Sequence, residues 1–405
     1  MMKKDSLPLD LSLCMIAKNE EEFLARHLPV VAPLASEFIY LDTGSADKSI
    51  TIAKKYTSKI FFKEWESDFA KVRNFALKKA SKKWILVLDA DEVISPRDFP
   101  LISSALKNHP GVGGFIFRQR SYLLDPDDEN FIVNRTDYEE GKEFRGYMDV
   151  SVVRIFENKP SVHYTGAAHD MVEYSIAERP KIDLKIPIHH YGMARSREKI
   201  KEKDEEYLRQ LKKDVENHPE IFKTRFTLGR HLYRLCRFQE AEEELLKAID
   251  IRPSSDTAFL NLSMAVLEQG KIKEAEKSIK KSLEYNAVNP EAWNILGVIK
   301  VRENDLKKSE ELFRNACRIN PESPKFNCNL SSSLISQGKY EEAESIVAKI
   351  LGRFHDYVPA LVNHLKILVC KKKYPQAVEV SKVILRLNKD FAATVKDILT
   401  KIKTS

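Results

Sequence analysis

Apolar and polar positions follow two different rhythms along this chain, and the change falls near residue 195. In the first part, short apolar runs rich in β-branched and aromatic residues stand between stretches of helical spacing. The runs are LSLCMIA (11–17), EFIYLD (37–42), KIFFKE (59–64) and WILVLD (84–89), separated by NEEEFLARHL, DKSITIAKKY and DFAKVRNFALKKA. This alternation predicts a mostly parallel sheet flanked by helices. Phe69, Val72, Ala76 and Ala80 are the expected packed face of the third helix. Later strands are expected at GGFIFRQRSYL (113–123), VSVVRIFEN (150–158) and KIDLKIPIHHY (181–191). Residues 124–149 between them are polar, acidic and turn-rich, and so long an excursion inside a compact domain predicts a functional loop.

From Phe222 no strand pattern remains and the chain repeats every 34 residues, over windows 222–255, 256–289, 290–323, 324–357 and 358–391. Position 20 of each window reads Ala241, Ala275, Ser309, Ala343, Ala377; position 8 reads Gly229, Ser263, Gly297, Ser331, then Leu365; position 7 reads Leu228, Leu262, Leu296, Leu330, then His364. Small residues at two fixed points let paired antiparallel helices approach closely, while large apolar residues fill the rest. The pattern resembles the tetratricopeptide repeat, most fully in the third window with Trp293, Leu296, Gly297, Phe313, Ala316 and Pro321. Loss of the pattern in the fifth window suits a terminal capping repeat. Residues 196–218 read as a charged connecting helix ended by Pro219. The expected domains are therefore 1–195, a linker helix at 196–221, five repeats at 222–391 and a capping helix or tail at 392–405.

Composition narrows the class. A hydrophobic content of 43% supports real cores, and no apolar stretch approaches a membrane span. Pro8 and Asp10 interrupt any signal-peptide core, and five scattered cysteines lack metal spacing, so a reduced, cytoplasmic location is expected. Charge is uneven: residues 1–195 carry 28 Lys+Arg against 29 Asp+Glu, and residues 196–405 carry 39 against 31. A basic C-terminal half suits an acidic partner or an anionic membrane surface, so peripheral association with the inner membrane face is one expectation. No compact basic block supports nucleic acid.

The candidate chemistry concentrates at WILVLDADE (84–92), an apolar run that stops at Asp89, Asp91 and Glu92. A buried strand ending so delivers carboxylates to the sheet edge where ligands bind in open α/β folds. Two aspartates one residue apart suit Mg²⁺ or Mn²⁺ carrying a phosphorylated substrate; a solvated acidic loop is the alternative. The turn Ala17-Lys18-Asn19-Glu20 opens a helix whose amides favour an anion or a base edge, or else Asn19 simply caps it with the glutamates complementing its dipole.

IAKNEEEFLARHL, YLDTGSADKS, EWESDFAKVRNFAL and LDADE, in that order over residues 16–92, resemble the start of a family-2 glycosyltransferase of GT-A fold, over roughly residues 10–195. The fold class implied is α/β plus all-α: a Rossmann-like nucleotide-sugar-binding domain followed by a helical repeat solenoid. The resemblance implies transfer of a sugar from a nucleotide diphosphate, usually UDP-linked, with inversion at the anomeric carbon. It implies that Ala17, Asn19 and Glu20 line the nucleotide, that Asp42 contacts nucleobase or ribose, and that Arg73 lies nearby. A turn aspartate at 42, with Asp47 capping, and a solvated arginine at 73 are the alternatives. Asp91 would bind the metal, and Asp89 the ribose or a metal-bound water; His190, rather than His189, would be a second protein ligand. The loop at Gly166 would precede the base Asp170, with His169 standing where the family usually has an acid and serving as the other candidate base.

Three readings of function follow. An active transferase would act on a cell-surface glycan or lipopolysaccharide-type acceptor. A second would glycosylate a peptide or protein held in the repeat groove, and the third is a scaffold with a degenerate catalytic half. The repeats suit protein contacts or self-association in any of these. A nucleotidyltransferase is disfavoured because AKNEEE lacks the glycine-rich loop such enzymes carry after the first strand.

Overall fold

A computed structural model describes residues 8–66, 68–124, 131–166, 171–176, 178–192 and 197–400. These fall into two compact units that part between Pro219 and Glu220. The first unit is built on strands β1 (Leu9–Ala17), β2 (Ala35–Asp42), β3 (Ile60–Phe62), β4 (Trp84–Val87), β5 (Glu92–Val93), β6 (Gly114–Leu123), β7 (Ile132–Val133), β8 (Gly146–Glu157) and β9 (Lys181–His190). They form one sheet in the order β3-β2-β1-β4-β8-β6-β9-β5, with β7 beside β8. Helices α1 (Glu21–Val31), α2 (Ser49–Ala53), α3 (Phe69–Leu77), α4 (Phe99–Asn108) and α5 (Arg197–Asn217) complete the unit.

Both sheet faces are covered. In β1, Leu11, Leu13 and Met15 pack with α1 and α4 residues such as Leu24, Leu28 and Ile102. Cys14 turns the other way, with Ile85 and Val87 of β4, against Ala70, Val72 and Ala76 of α3. A strand buried on both faces needs apolar residues in succession, which is why WILVLD does not alternate. The buried face of α3 is Ala70, Val72, Arg73, Ala76 and Leu77. Phe69, expected inside, instead stacks edge-on against Trp65 at 4.7 Å.

The expectation of a mostly parallel sheet holds for the first four strands, which are mutually parallel, and again only for the pair β6–β9. β8 runs antiparallel to both β4 and β6, and β5 antiparallel to β9. No crossover helix stands between β6 and β8 among the described residues, so the chain returns alongside the strand it left. α4 was also absent from the predicted elements. At the amino-terminal edge, Glu37 of β2 accepts hydrogen bonds from Ser12 of β1, Lys59, and the backbone and hydroxyl of Ser81, the last two at 2.7 Å. One carboxylate of β2 thus joins β1 to the segments that lead into β3 and β4.

The second unit is helical. α6 (Phe222–Arg234), α8 (Asp256–Glu268), α10 (Pro290–Arg302), α12 (Pro324–Ser336) and α14 (Val358–Cys370) start 34 residues apart. So do their partners α7 (Phe238–Ile251), α9 (Ile272–Tyr285), α11 (Leu306–Ile319), α13 (Tyr340–Arg353) and α15 (Tyr374–Leu387). α16 (Ala392–Thr400) follows the last pair. Ser255, Asn289 and Ser323, at position 34 of three windows, cap the next helix by accepting backbone N–H groups. A Cβ on Gly297 would lie 2.6 Å from the Phe313 ring, and one on Gly229 would lie 2.7 Å from Leu245. Position 21 of four windows is a glutamate paired with a lysine of the next repeat: Glu242–Lys271, Glu276–Lys300, Glu310–Lys339 and Glu344–Lys371, at 2.6–2.7 Å.

Two predictions follow from these contacts. Burial acts to raise the Glu37 carboxyl, but Lys59, Ser12 and Ser81 outweigh it and bring it from 4.5 to about 2. A carboxyl held below its unfolded value stabilises the fold above that value and loses the contribution as pH falls towards 2. Urea midpoints should therefore drop between pH 4.5 and 2 in the wild type. They should drop less steeply in Glu37→Gln, which starts lower by about 3 kcal/mol. In the repeats, Gly297→Val should destabilise the helical unit by about 1–3 kcal/mol. Gly352→Ala, where the added Cβ meets open space, should leave the thermal midpoint unchanged or raise it.

Candidate functional site

The carboxyl edge of the parallel strands gathers most of the residues singled out above. The turns after β1 and β2 are stitched to each other. Thr43 N donates to Ala17 O at 3.1 Å, Asn19 N to Ser45 Oγ at 3.0 Å, and Ala46 N to Asn19 Oδ1 at 2.8 Å. Glu20 N donates to Ser49 Oγ at 2.9 Å, and Glu21 N to Asp47 Oδ2 at 3.1 Å. Asn19 adopts φ +55° and does not cap α1. The N–H groups at 19, 20 and 21 are occupied by the facing turn, which accounts for the serines and aspartate of TGSADKS. Asp42 does take the turn role, its Oδ1 accepting from Gly44 N at 2.9 Å and Ser45 N at 2.8 Å. Its Oδ2 is buried without a hydrogen-bond partner among the described residues. A buried carboxylate oxygen left open calls for a donor from a ligand or water.

Arg73 of α3 points inward and is buried. Its Nη2 lies 2.9 and 3.2 Å from the two Asp89 oxygens, and its guanidinium stands 5.6 Å over the Tyr164 ring. The solvated-arginine alternative therefore falls. On the far side of Asp89, Arg154 of β8 reaches its Oδ2 at 3.8 Å and Glu92 Oε1 at 2.5 Å. Glu92 also accepts from Gln119 Nε2 at 2.7 Å and from Asp89 N at 3.0 Å. The result is an alternating line, Arg73⁺–Asp89⁻–Arg154⁺–Glu92⁻. Burial acts to raise the Asp89 carboxyl, but Arg73 and Arg154 outweigh it and hold it at about 2. Burial pushes the fully enclosed Glu92 carboxyl up, against the pull of Arg154. Arg154 was missed from sequence. Its signal was a lone cation inside the apolar strand VSVVRIFEN, since a buried charge is rarely left unpaired.

Asp91 faces His190, the last residue of β9, with Oδ2 and Nε2 3.7 Å apart. Ser121 Oγ bonds His190 Nδ1 at 2.8 Å and fixes the ring with Nε2 towards Asp91. A Cβ on Gly192 would lie 2.5 Å from His190 Nε2 and 2.8 Å from Asp91 Oδ2, so glycine keeps that space clear. His189 points the opposite way, fully buried, with Nδ1 2.6 Å from the Tyr122 hydroxyl; burial pushes its imidazole down to about 3. Two metal bonds of roughly 2.0–2.2 Å at a right angle would hold their ligand atoms about 3 Å apart, so a small adjustment lets Asp91 and His190 share a cation. One carboxylate and one imidazole fit Mn²⁺ better than Mg²⁺. No group of three His, Cys, Asp or Glu among the described residues could enclose an ion by itself. The rest of the coordination would fall to phosphate or water.

Gly166 sits at φ +98°, and the backbones of Thr165 and Met171 pair through hydrogen bonds of 2.8 and 3.0 Å. Asn74 of α3 braces its approach, donating to Tyr164 O at 2.9 Å and accepting from Tyr164 N at 2.8 Å. The expected base Asp170 and its neighbour His169 lie outside the described residues.

A mixed sheet covered by helices on both faces, with its acids on the carboxyl edge, is a GT-A-type architecture. In comparison with known proteins, the family described as Glycosyl transferase family 2 matches residues 12–158, and Tetratricopeptide repeat matches residues 260–324. The chain thus carries a family-2 glycosyltransferase domain joined to tetratricopeptide repeats. It is 32% identical over 218 residues to a TPR repeat-containing protein of Synechococcus elongatus, covering 52% of this chain and 49% of that one. It is 24% identical over 239 residues to the SPbeta prophage-derived glycosyltransferase SunS of Bacillus subtilis, covering 58% and 52%. It is 26% identical over 121 residues to the lipopolysaccharide core biosynthesis glycosyltransferase LpsC of Rhizobium meliloti, covering 29% and 44%. Among solved structures, MamA aligns at 20% identity over 39% of this chain and 92% of that one, with a TM-score of 0.35. The chain spans about half the length of the first curated relatives it matches.

The charge line predicts a stability experiment. Arg154→Met leaves Glu92 buried beside Asp89 with its cation gone, and should cost about 3–5 kcal/mol by chemical denaturation. Adding Glu92→Gln should recover a large part of the loss.

Proposed function

We propose that this protein is a metal-dependent, inverting glycosyltransferase that uses a nucleotide-diphosphate sugar, a UDP-sugar first among them. The observation that carries the reading is the facing pair Asp91 and His190 beside an Asp89 held anionic by two arginines. Asp91 and His190 would hold Mn²⁺ or Mg²⁺, which when bound neutralises charge on the departing diphosphate. Asp42, with its open buried oxygen, accepts a hydrogen bond from the nucleoside. Arg73 and Arg154 keep Asp89 ionised and oriented at the strand end. Asp170 takes the proton of the acceptor hydroxyl as its oxygen attacks the anomeric carbon; the bond from that carbon to the diphosphate oxygen breaks, and the nucleotide leaves with the electron pair. His169 orients Asp170 or replaces it as base.

For the acceptor, a cell-surface glycan of lipopolysaccharide type is the first choice. It is supported by the similarity to the lipopolysaccharide core glycosyltransferase of Rhizobium meliloti and by the basic charge of residues 196–405, which suits an anionic inner membrane face. No helix among the described residues is long and apolar enough to cross a membrane. The helical repeats favour a second reading, in which a peptide or protein acceptor lies along them. Release of UDP in the presence of lipid-linked glycan or of peptide separates the two.

Calorimetric titration with UDP, and with GDP for comparison, tests the donor site. UDP should bind at micromolar concentration only with Mn²⁺ or Mg²⁺ present, and EDTA should abolish binding. Asp91→Asn should lose metal-dependent binding and lower turnover by orders of magnitude, with an unchanged circular dichroism spectrum. Near-wild-type turnover in that variant would overturn the metal assignment.

A further inference from the structure

The backbone of the acidic turn is tied at almost every point. Leu88 N donates to Cys14 O at 3.3 Å, Asp89 N to Glu92 Oε2 at 3.0 Å, Glu92 N to Asp89 O at 3.0 Å, and Tyr191 N to Asp91 O at 3.0 Å. The carbonyl of Ala90, between the two aspartates, is reached by a side chain from another element: His27 Nδ1 of α1 lies 2.9 Å from it. A carbonyl can only accept, so Nδ1 carries the proton.

His27 occupies a place in α1 that packing alone would give to an apolar residue. The buried positions of that helix are Leu24, His27, Leu28 and Val31, one stripe at helical spacing. The ring lies 5.5 Å from Phe23 and 5.2 Å from Tyr191, and Nε2 is buried without a hydrogen-bond partner among the described residues. An imidazole here leaves one of its own nitrogens unpaired in the core, a cost leucine would not incur. What leucine could not supply is the hydrogen bond to Ala90. Tyr191, which packs on the His27 ring, is itself the residue whose N–H holds Asp91 O.

We infer that His27 is a positioning residue for the acidic turn, holding the Ala90 carbonyl so that the Asp91 side chain stays opposite His190 to receive the cation. The inference rests on the metal-dependent reading above and adds a residue outside the site assigned from sequence.

The test compares wild type, His27→Leu, His27→Asn and His27→Gln in the full chain. Readouts are calorimetric binding of UDP in the presence of Mn²⁺, amide hydrogen exchange over residues 88–92, and thermal midpoint. The leucine variant should keep its thermal midpoint, exchange faster in the turn, and bind UDP with Mn²⁺ about tenfold more weakly, as when a group supporting a metal ligand is lost. Asparagine, whose Nδ2 can take the place of Nδ1, should restore most of the affinity; glutamine, which extends towards the Nε2 position, should not. Wild type that binds while the leucine variant binds equally well overturns the role of His27 alone. Should the leucine variant fail to fold, equal binding by the asparagine and glutamine variants overturns it. Wild type that binds no UDP with Mn²⁺ overturns the metal reading itself; unchanged turn exchange in His27→Leu would then separately overturn the positioning.

Discussion

The site depends on an alternation of charges, three of them buried and the fourth, Asp89, half-buried. Arg73 comes from the helix between β3 and β4, Asp89 from the end of β4, Arg154 from β8 and Glu92 from β5. Each charge has an opposite neighbour, so none bears the desolvation penalty alone. The line crosses from the parallel strands into the antiparallel ones. That crossing makes the second half of the domain more than a cover: without β8 the anionic state of Asp89 would lack one of its two cations. The same line orients the turn that carries Asp91.

The two edges of the sheet divide the work. At the amino-terminal edge, Glu37 has every oxygen occupied by protein donors, and it serves cohesion. At the carboxyl edge, Asp42 keeps one oxygen buried and without a partner among the described residues, while Asp91 faces an imidazole across a gap kept clear by Gly192. A fully satisfied acid thus stands at one end of the sheet, and at the other a carboxylate with one oxygen open to a donor.

Much of this was legible in the sequence, for identifiable reasons. Strands buried on both faces announce themselves as apolar runs, and the 34-residue period fixes helix starts because any slip would bury the wrong face. Asp89, Asp91 and His190 could be named because each ends a run whose termination is visible. The choice of His190 over His189 rests in the structure on strand alternation, one ring facing the acids and the other the core. Arg154 showed only as a lone cation in an apolar strand and Ser121 left no sign, because the partners of both come from pairing between strands far apart in sequence. The antiparallel return of β8 was hidden for the same reason. The cross-stitching of the first two turns was missed because Asn19 looks like a cap for its own helix, whereas its partner lies 27 residues away at Ala46.

The inter-repeat ion pairs have a consequence for how the helical array can change in length. The acid stays at one place in the repeat, at 242, 276, 310 and 344, while its lysine partner comes from the start of the second helix (Lys271, Lys339), the first helix itself (Lys300) or the turn after it (Lys371) in the following unit. A long flexible cation tolerates that drift, so each junction offers the same socket to whichever unit comes next. Removing residues 290–323 as a block would set Glu276 before Lys339 in the relation Glu310 now has to it. As far as these pairs are concerned, whole units can be gained or lost at the level of the gene with each acid still meeting a lysine, the length moving in steps of one repeat.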